Sequence, residues 1–166
     1  AIAGVDGADV ADMTQYLRGE RVPGKAVAMI VQEDHVAPLA CADRLAREGR
    51  HVTLFIQTNG PAPLVSRYSL GTLLGRLSKA GVRLILNEAV TDIALPSLRT
   101  RHVYSGREQM HDGFDSVVLA CGALPRSDLY EALAEARPNV HVLGDAYAPR
   151  RIVFATQQGY ELAKRL

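Results

Sequence analysis

Tryptophan is absent from these 166 residues, phenylalanine occurs three times, and only two cysteines are present. Cys41 and Cys121 have no second cysteine or histidine at ligand spacing, so neither a disulfide framework nor a zinc site is encoded. No apolar run approaches the roughly 18 to 20 residues of a membrane span. Charge of one sign is missing too. The 19 Lys and Arg side chains stand against 18 Asp and Glu for a net charge of +1, and the arginines are scattered among carboxylates, which leaves no field to steer nucleic acid. Residues 1–7 are small and featureless, with no charged segment leading into an apolar one. The expectation is a piece of a longer protein from a reducing, cytoplasmic compartment. What is present is a chain 48% hydrophobic and 22% charged, the balance of a folded domain rather than a disordered one.

Along the chain, short apolar runs alternate with helical patterns. Residues 8–19 carry Val10, Met13 and Leu17 at near-helical spacing before Gly19, which predicts a short connector helix over 8–19. Residues 26–31 and 51–56 read as buried strands, with a helix over 36–48 between them that is stopped by Gly49. A second helix over 69–80, with Leu70, Leu73, Leu74 and Leu77 on one face, leads to a strand over 82–86. Three stretches, 89–94, 98–104 and 108–111, read as an antiparallel meander. A strand over 116–120, a helix over 128–136, a strand over 140–143 and a closing helix over 152–166, with Val153, Ala155, Leu162 and Leu166 inward, complete the chain. The fold class expected is α/β: a Rossmann-like parallel sheet with helices on both faces and a small antiparallel β-meander insertion.

In such a sheet a ligand sits beyond the carboxyl ends of the strands, where the strand order reverses. A dinucleotide there needs G-x-G-x-x-G, so that backbone N–H groups reach pyrophosphate without interference from Cβ atoms. The loop after Val31 reads Gln32-Glu33-Asp34-His35-Val36-Ala37-Pro38, and no glycine occurs between Gly24 and Gly49. Glu33 and Asp34 put carboxylates where a phosphate would bind, and the strand ending Phe55-Ile56-Gln57-Thr58 lacks the acidic residue that holds a ribose hydroxyl. A ligand-free turn is the reading these residues favour.

Two strand ends are more informative. The segment 114–125 (FDSVVLACGALP) runs a buried strand into Gly122 and Pro125, and 140–145 (VHVLGD) ends in Gly144 and Asp145. Gly122 reads either as a close-approach glycine or as a simple turn. Asp145 reads as a contact for ribose or ribitol hydroxyls or as a helix cap, with Gly144 letting a ligand close in. Arg150 and Arg151 suit the phosphates of an ADP group or a solvated surface, and Tyr147 suits a flavin or adenine face or the edge of a core. Cys121 reads as inert packing, His35 beside Asp34 as a solvated histidine without a nucleophile, and Arg99, Arg101, His102 and Arg107 as a mixed-charge face.

Taken together and in this order, these segments carry a resemblance. The first is similar to the aromatic-Asp, apolar run, Ala-Thr-Gly, Pro motif of flavoproteins built from paired dinucleotide-binding domains, with Cys121 in place of the threonine. The second resembles the Gly-Asp motif whose aspartate contacts the ribitol of FAD. With Ala148-Pro149-Arg150-Arg151-Ile152, Ala155 and Gly159, and backward with Ala37-Pro38, Leu45-Ala46 and residues 49–54, the pattern from about residue 10 onward resembles the C-terminal region of trimethylamine dehydrogenase and 2,4-dienoyl-CoA reductase type flavin oxidoreductases.

The resemblance implies three parts: a connector over 1–24, an NAD(P)H-binding-like Rossmann domain over 25–122, and the returning C-terminal part of an FAD-binding-like domain over 123–166. It implies a nucleotide-binding-like domain that is not catalytic by itself, contacting FAD or an ADP moiety through Gly122, Gly144, Asp145 and Arg150. FMN and a [4Fe-4S] cluster belong to an N-terminal barrel outside these residues. The partners implied are that barrel, an electron-transfer protein or NAD(P)H, and a second copy of the chain. The glycine-free loop favours the amine dehydrogenase branch, in which electrons leave to another protein. A reductase domain that uses NAD(P)H through an unusual loop and a scaffolding module without ligand are the alternatives.

Overall fold

The computed structural model describes residues 2–137 and 139–166, and the chain divides into two compact units, 1–121 and 122–166. In the first unit, β1 (Val10–Asp12), β2 (Ala26–Val31), β3 (His51–Ile56), β4 (Arg83–Leu86) and β8 (Ser116–Ala120) form a parallel sheet in the order β1-β8-β2-β3-β4. Three helices accompany it: α1 (Met13–Leu17), α2 (Ala37–Arg47) and α3 (Arg67–Lys79). A separate antiparallel sheet of β5 (Glu88–Ala94), β6 (Ser97–His102) and β7 (Glu108–Asp112) is the expected meander.

The pleat of the parallel strands sorts their side chains into two cores. Val27, Met29 and Val31 of β2 join Leu54, Ile56, Val118 and Ala120 beneath Leu39, Ala42 and Leu45 of α2 and Leu70, Leu73 and Leu77 of α3. Each fully buried leucine there contributes roughly 1.5–3 kcal/mol. Ala28, Ile30, Phe55 and Val117 point the other way, onto Val90, Ile93 and Leu98 of the meander. Helices on both faces were expected; in this unit the helices cover one face and the meander covers the other. The meander can do so because its own inward residues alternate, as in any half-buried strand.

The connector helix expected over 8–19 is corrected. Val10–Asp12 is an edge strand paired in parallel with β8, Val10 opposite Val117, and the helix starts only at Met13. Asp12 sets that start through a capping box: its Oδ1 accepts the Gln15 N–H (2.8 Å) while Gln15 Oε1 accepts the Asp12 N–H (3.0 Å). A residue that caps a helix is itself extended, so the apolar spacing across it belonged to two elements.

Two polar arrangements tie the elements. At the amino ends of β2 and β8, Asp115 Oδ2 accepts the N–H groups of Lys25 (2.8 Å) and Ala26 (3.0 Å), and the Ser116 hydroxyl donates to Asp115 Oδ1 (3.0 Å) and accepts the Gly24 N–H (3.0 Å). Gly24 is required there, since a Cβ would come within 2.2 Å of the Asp115 carboxylate. Between α2 and α3, the buried Asp43 carboxylate takes a two-pronged contact from Arg76 (3.2 and 3.1 Å) and a third from Arg47 (2.9 Å).

The second unit holds α4 (Asp128–Ala134), a single 3-10 turn (Gly144–Ala146) and α5 (Ile152–Ala163). Residues 140–143, expected as a strand, are not one: no strand pairs with them among the described residues, and a strand exists only by pairing. The inward face expected for the closing helix is also corrected, because Val153 and Leu166 are exposed and only Ala155 and Leu162 are half-buried.

Candidate functional site

The chain leaves β2 through α2 toward β3 and β4, while β8 and β1 lie on the opposite side of β2. The strand order therefore reverses between β2 and β8, and the crevice beyond their carboxyl ends is where an open α/β sheet receives a ligand. Val31 pairs with Ala120 there, and the Gln32 N–H donates to the Ala120 carbonyl (2.9 Å). The structure thus brings the 32–38 loop beside Cys121, with Gly122 following at once. Gly122 has a φ of +94°, and nothing stands where its Cβ would be. It needs glycine for its backbone conformation and leaves open space beside it.

The loop itself is internally bonded. His35 Nδ1 accepts the Ala37 N–H (3.3 Å), and His35 Nε2 lies 2.6 Å from Glu33 Oε2. Val36 caps α2 without a side-chain bond, and Pro38 in the first turn has no N–H. Of the amides that a helix N-terminus offers to an anion, the first is engaged by His35 and the next is missing. The Cys121 thiol is pushed up to about 11, by burial first and then by the charge of Glu33, and its S–H points to the Ile30 carbonyl (3.8 Å). Glu33 thus places a carboxylate within reach of Cys121 at the crevice. The Glu33–His35 contact was not legible in the sequence, because spacing alone does not say which way a loop carboxylate turns.

Beyond β3, Thr58 donates its hydroxyl to the Gly60 carbonyl (2.7 Å). The Asn87 N–H meets the Thr58 carbonyl (3.2 Å), and the Val103 N–H meets the Asn87 carbonyl (2.8 Å), so the β6–β7 hairpin end lies beside the carboxyl ends of β3 and β4. Sequence reasoning had no signal for that placement.

In the second unit, Gly144, Asp145 and Arg150 come together. Gly144 has a φ of +59°, its N–H donates to Gln158 Oε1 (2.8 Å), and a Cβ on it would press on the Cβ of Ala155 at 3.3 Å. This glycine lets the 3-10 turn pack on α5. Asp145 does not cap α5, which begins at Ile152 without a side-chain cap; its Oδ1 accepts the Arg150 N–H at 3.5 Å, a long bond that leaves the exposed carboxylate able to accept others. Arg150 lays its guanidinium over the Phe154 ring (4.9 Å) with Arg151 beside it (5.7 Å). Among the described residues there is no group of three or more His, Cys, Asp or Glu side chains that could hold a metal, and no helix is long and apolar enough to cross a membrane.

No family model matches the chain. Solved structures do. The 6-hydroxypseudooxynicotine amine oxidase of Pseudomonas geniculata N1 superposes with a TM-score of 0.86 at 26% identity, over 96% of this chain and 25% of that one. Histamine dehydrogenase from Rhizobium sp. 4-9 follows at 0.82 and 25% identity, over 95% of this chain and 26% of its own. A 2-naphthoyl-CoA reductase complex, at 0.80 and 21% identity over 96% and 24%, shares the fold. The chain therefore spans about a quarter of the length of the solved chains it matches, and its fold is that of an FAD/NAD(P)-binding-like region of flavin-dependent oxidoreductases.

Proposed function

We propose, from the match of this chain to the C-terminal region of flavoproteins of the trimethylamine dehydrogenase and 2,4-dienoyl-CoA reductase type, that it is the nucleotide-binding-like portion of such an oxidoreductase, with a pyridine-nucleotide crevice closed by its own residues and no catalysis of its own. The observation that carries this is the occupied loop at the crevice: Glu33 against His35, whose Nδ1 takes the first amide of α2, with Pro38 next. Those residues do not fit NAD(P)H, because no glycine opens the loop, the Ala37 amide is taken by His35, Pro38 has none to give, and a carboxylate stands beside them.

Residues 25–122 are then the NAD(P)H-binding-like domain, 1–24 lead into it, and 123–166 are the returning end of the FAD-binding-like domain. There the residues fit an adenine dinucleotide better. Asp145 would accept hydroxyls of a ribose or ribitol, and Arg150, whose guanidinium lies over Phe154, would meet a phosphate. Gly122 and Gly144 keep the backbone clear of bulk. FMN, an iron-sulfur cluster and the substrate belong to an N-terminal barrel, and the whole works in the cytoplasm.

Calorimetric titration of the chain with ADP, FAD, NADH and NADPH at low salt tests this. Binding of ADP or FAD, lost in Asp145→Ala, with no binding of NADH or NADPH, is expected. NADH binding that is lost on altering residues 32–38 would overturn the closed-crevice reading and make this a working reductase domain. Absence of any binding would overturn the assignment of Asp145 and leave a scaffolding module.

A further inference from the structure

At the entry to α2 the two ring nitrogens of His35 are engaged in different ways. Nδ1 accepts the N–H of Ala37, the first residue of the helix, at 3.3 Å, and Nε2 lies 2.6 Å from Glu33 Oε2. The two contacts respond differently to a proton. A backbone N–H only donates, so the Ala37 bond needs a lone pair on Nδ1, and an imidazolium has none to offer. The Glu33 contact survives protonation and gains from it, because imidazolium and carboxylate make a charge-assisted pair. One proton therefore breaks one bond and reinforces the other. Solvent can deliver it, since the His35 side chain is 43% exposed while that of Glu33 is 14% exposed.

We propose that His35 is a proton-operated latch on the entry to α2. Neutral, the ring holds the Ala37 amide and ties the 32–38 loop to the helix; protonated, it releases that amide and keeps Glu33. The head of α2 has little to put in its place. Val36 stands at the N-cap without a side-chain bond, Pro38 has no N–H, and the ladder of the helix starts at Ala40, whose N–H donates to the Val36 carbonyl (3.1 Å). His35 thus does with Nδ1 what an asparagine does with Oδ1 when it bonds the N–H two residues on. The difference is that an asparagine is blind to pH, whereas imidazole is the side chain that ordinarily gains its charge between pH 8 and 5. Around the ring, the loop contributes the carboxylates Glu33 and Asp34, and the first turn of α2 contributes no acidic group. After β8 comes Cys121, which feels the Glu33 charge and, at about 11, stays an uncharged thiol throughout that range. Acidification therefore adds a positive charge and frees an N–H donor at the same place, the carboxyl end of β2. The inference goes beyond the function proposed above and needs only the loop and the helix.

Solvent exchange of the Ala37 amide, followed by NMR on the 166-residue chain at pH 7.5 and pH 5 and divided by the intrinsic rate at each pH, decides it. The His35 ring signals report the proton, and the amides of β8 report an intact sheet in every sample. Ala37 is expected to be protected about 10-fold at pH 7.5 and to lose that protection at pH 5, with the same midpoint as the ring. His35→Asn supplies an acceptor that does not titrate and is expected to protect Ala37 at both pH values; His35→Ala is expected to protect it at neither. Protection that stays constant while the ring titrates overturns the proposal, as does a ring that takes up no proton between pH 7.5 and 5. Loss of protection at pH 5 in His35→Asn also overturns it, since acid would then act on the helix through Glu33 or Asp34. A His35→Ala chain as protected as wild type at pH 7.5 would mean that the ring never held the amide, and the latch fails on that result too.

Discussion

Asp43 offers the sharpest test of how this fold is held together, because its three charges are buried unequally. Its side chain is 4% exposed, whereas those of Arg76 and Arg47 are 53% and 71% exposed. Removing the carboxylate frees two arginines that return to water, so Asp43→Ala costs only the lost charge-assisted bonds, about 1–2 kcal/mol. Removing the arginines strands the carboxylate under α2 and α3 without compensation. Arg47→Ala alone leaves the two Arg76 bonds and costs about 0.5 kcal/mol. The double variant Arg47→Ala/Arg76→Ala costs about 3–5 kcal/mol, more than the sum of its single changes, since each arginine partly covers for the other. Urea denaturation at pH 7, followed by far-ultraviolet circular dichroism, measures these three and Arg76→Ala, which completes the cycle. A double-arginine variant no less stable than Asp43→Ala would refute the reasoning, since it would mean that the carboxylate reaches water in the folded state.

Other outcomes follow from the same geometry. Gly24→Ala should destabilise by about 1–3 kcal/mol, because the new Cβ meets the Asp115 carboxylate at 2.2 Å; Gly60→Ala, with open space beside it, is the control in the same thermal melt. Burial alone would raise the Asp115 carboxyl, but hydrogen bonds from Ala26, Lys25 and Ser116 outweigh it and hold the group below the ordinary 3.8. A depressed acid contributes stability above its unfolded value and loses it as pH falls, so the wild-type advantage over Asp115→Asn should be complete at pH 6 and shrink below about pH 4. Cys121, pushed up to about 11 from an ordinary 9.0, should hold about 100-fold less thiolate than an ordinary thiol at pH 7.5 and alkylate about 10-fold more slowly by mass spectrometry, and faster in Glu33→Gln.

Much of the first unit was legible from residues alone. Apolar runs at 26–31, 51–56 and 116–120 are strands because runs of that length between turn residues suit a strand covered on both faces, and the leucines of 70, 73 and 77 share one face at helical spacing. Around the crevice, the lack of glycine between Gly24 and Gly49 and the acidic pair at 33 and 34 already argued against a dinucleotide. What local pattern could not show is where a boundary falls when two elements share an apolar spacing, as at Asp12, or whether a strand-like segment finds a partner, as at 140–143.

Composition, periodicity and turn chemistry determined that this chain builds a parallel α/β sheet with a meander, and that the loop after β2 carries two acidic residues and no glycine, because each of those properties is set by residues within a few positions of one another. The tertiary structure alone decided that the meander takes one face of the sheet and the helices the other, that Glu33 turns onto His35 beside Cys121, and that Asp115 laces β8 to β2 across 90 residues of chain. It also decided that no described residue of 122–166 is fully buried, since burial depends on which surfaces meet in space, and no local pattern says whether a partner surface is there.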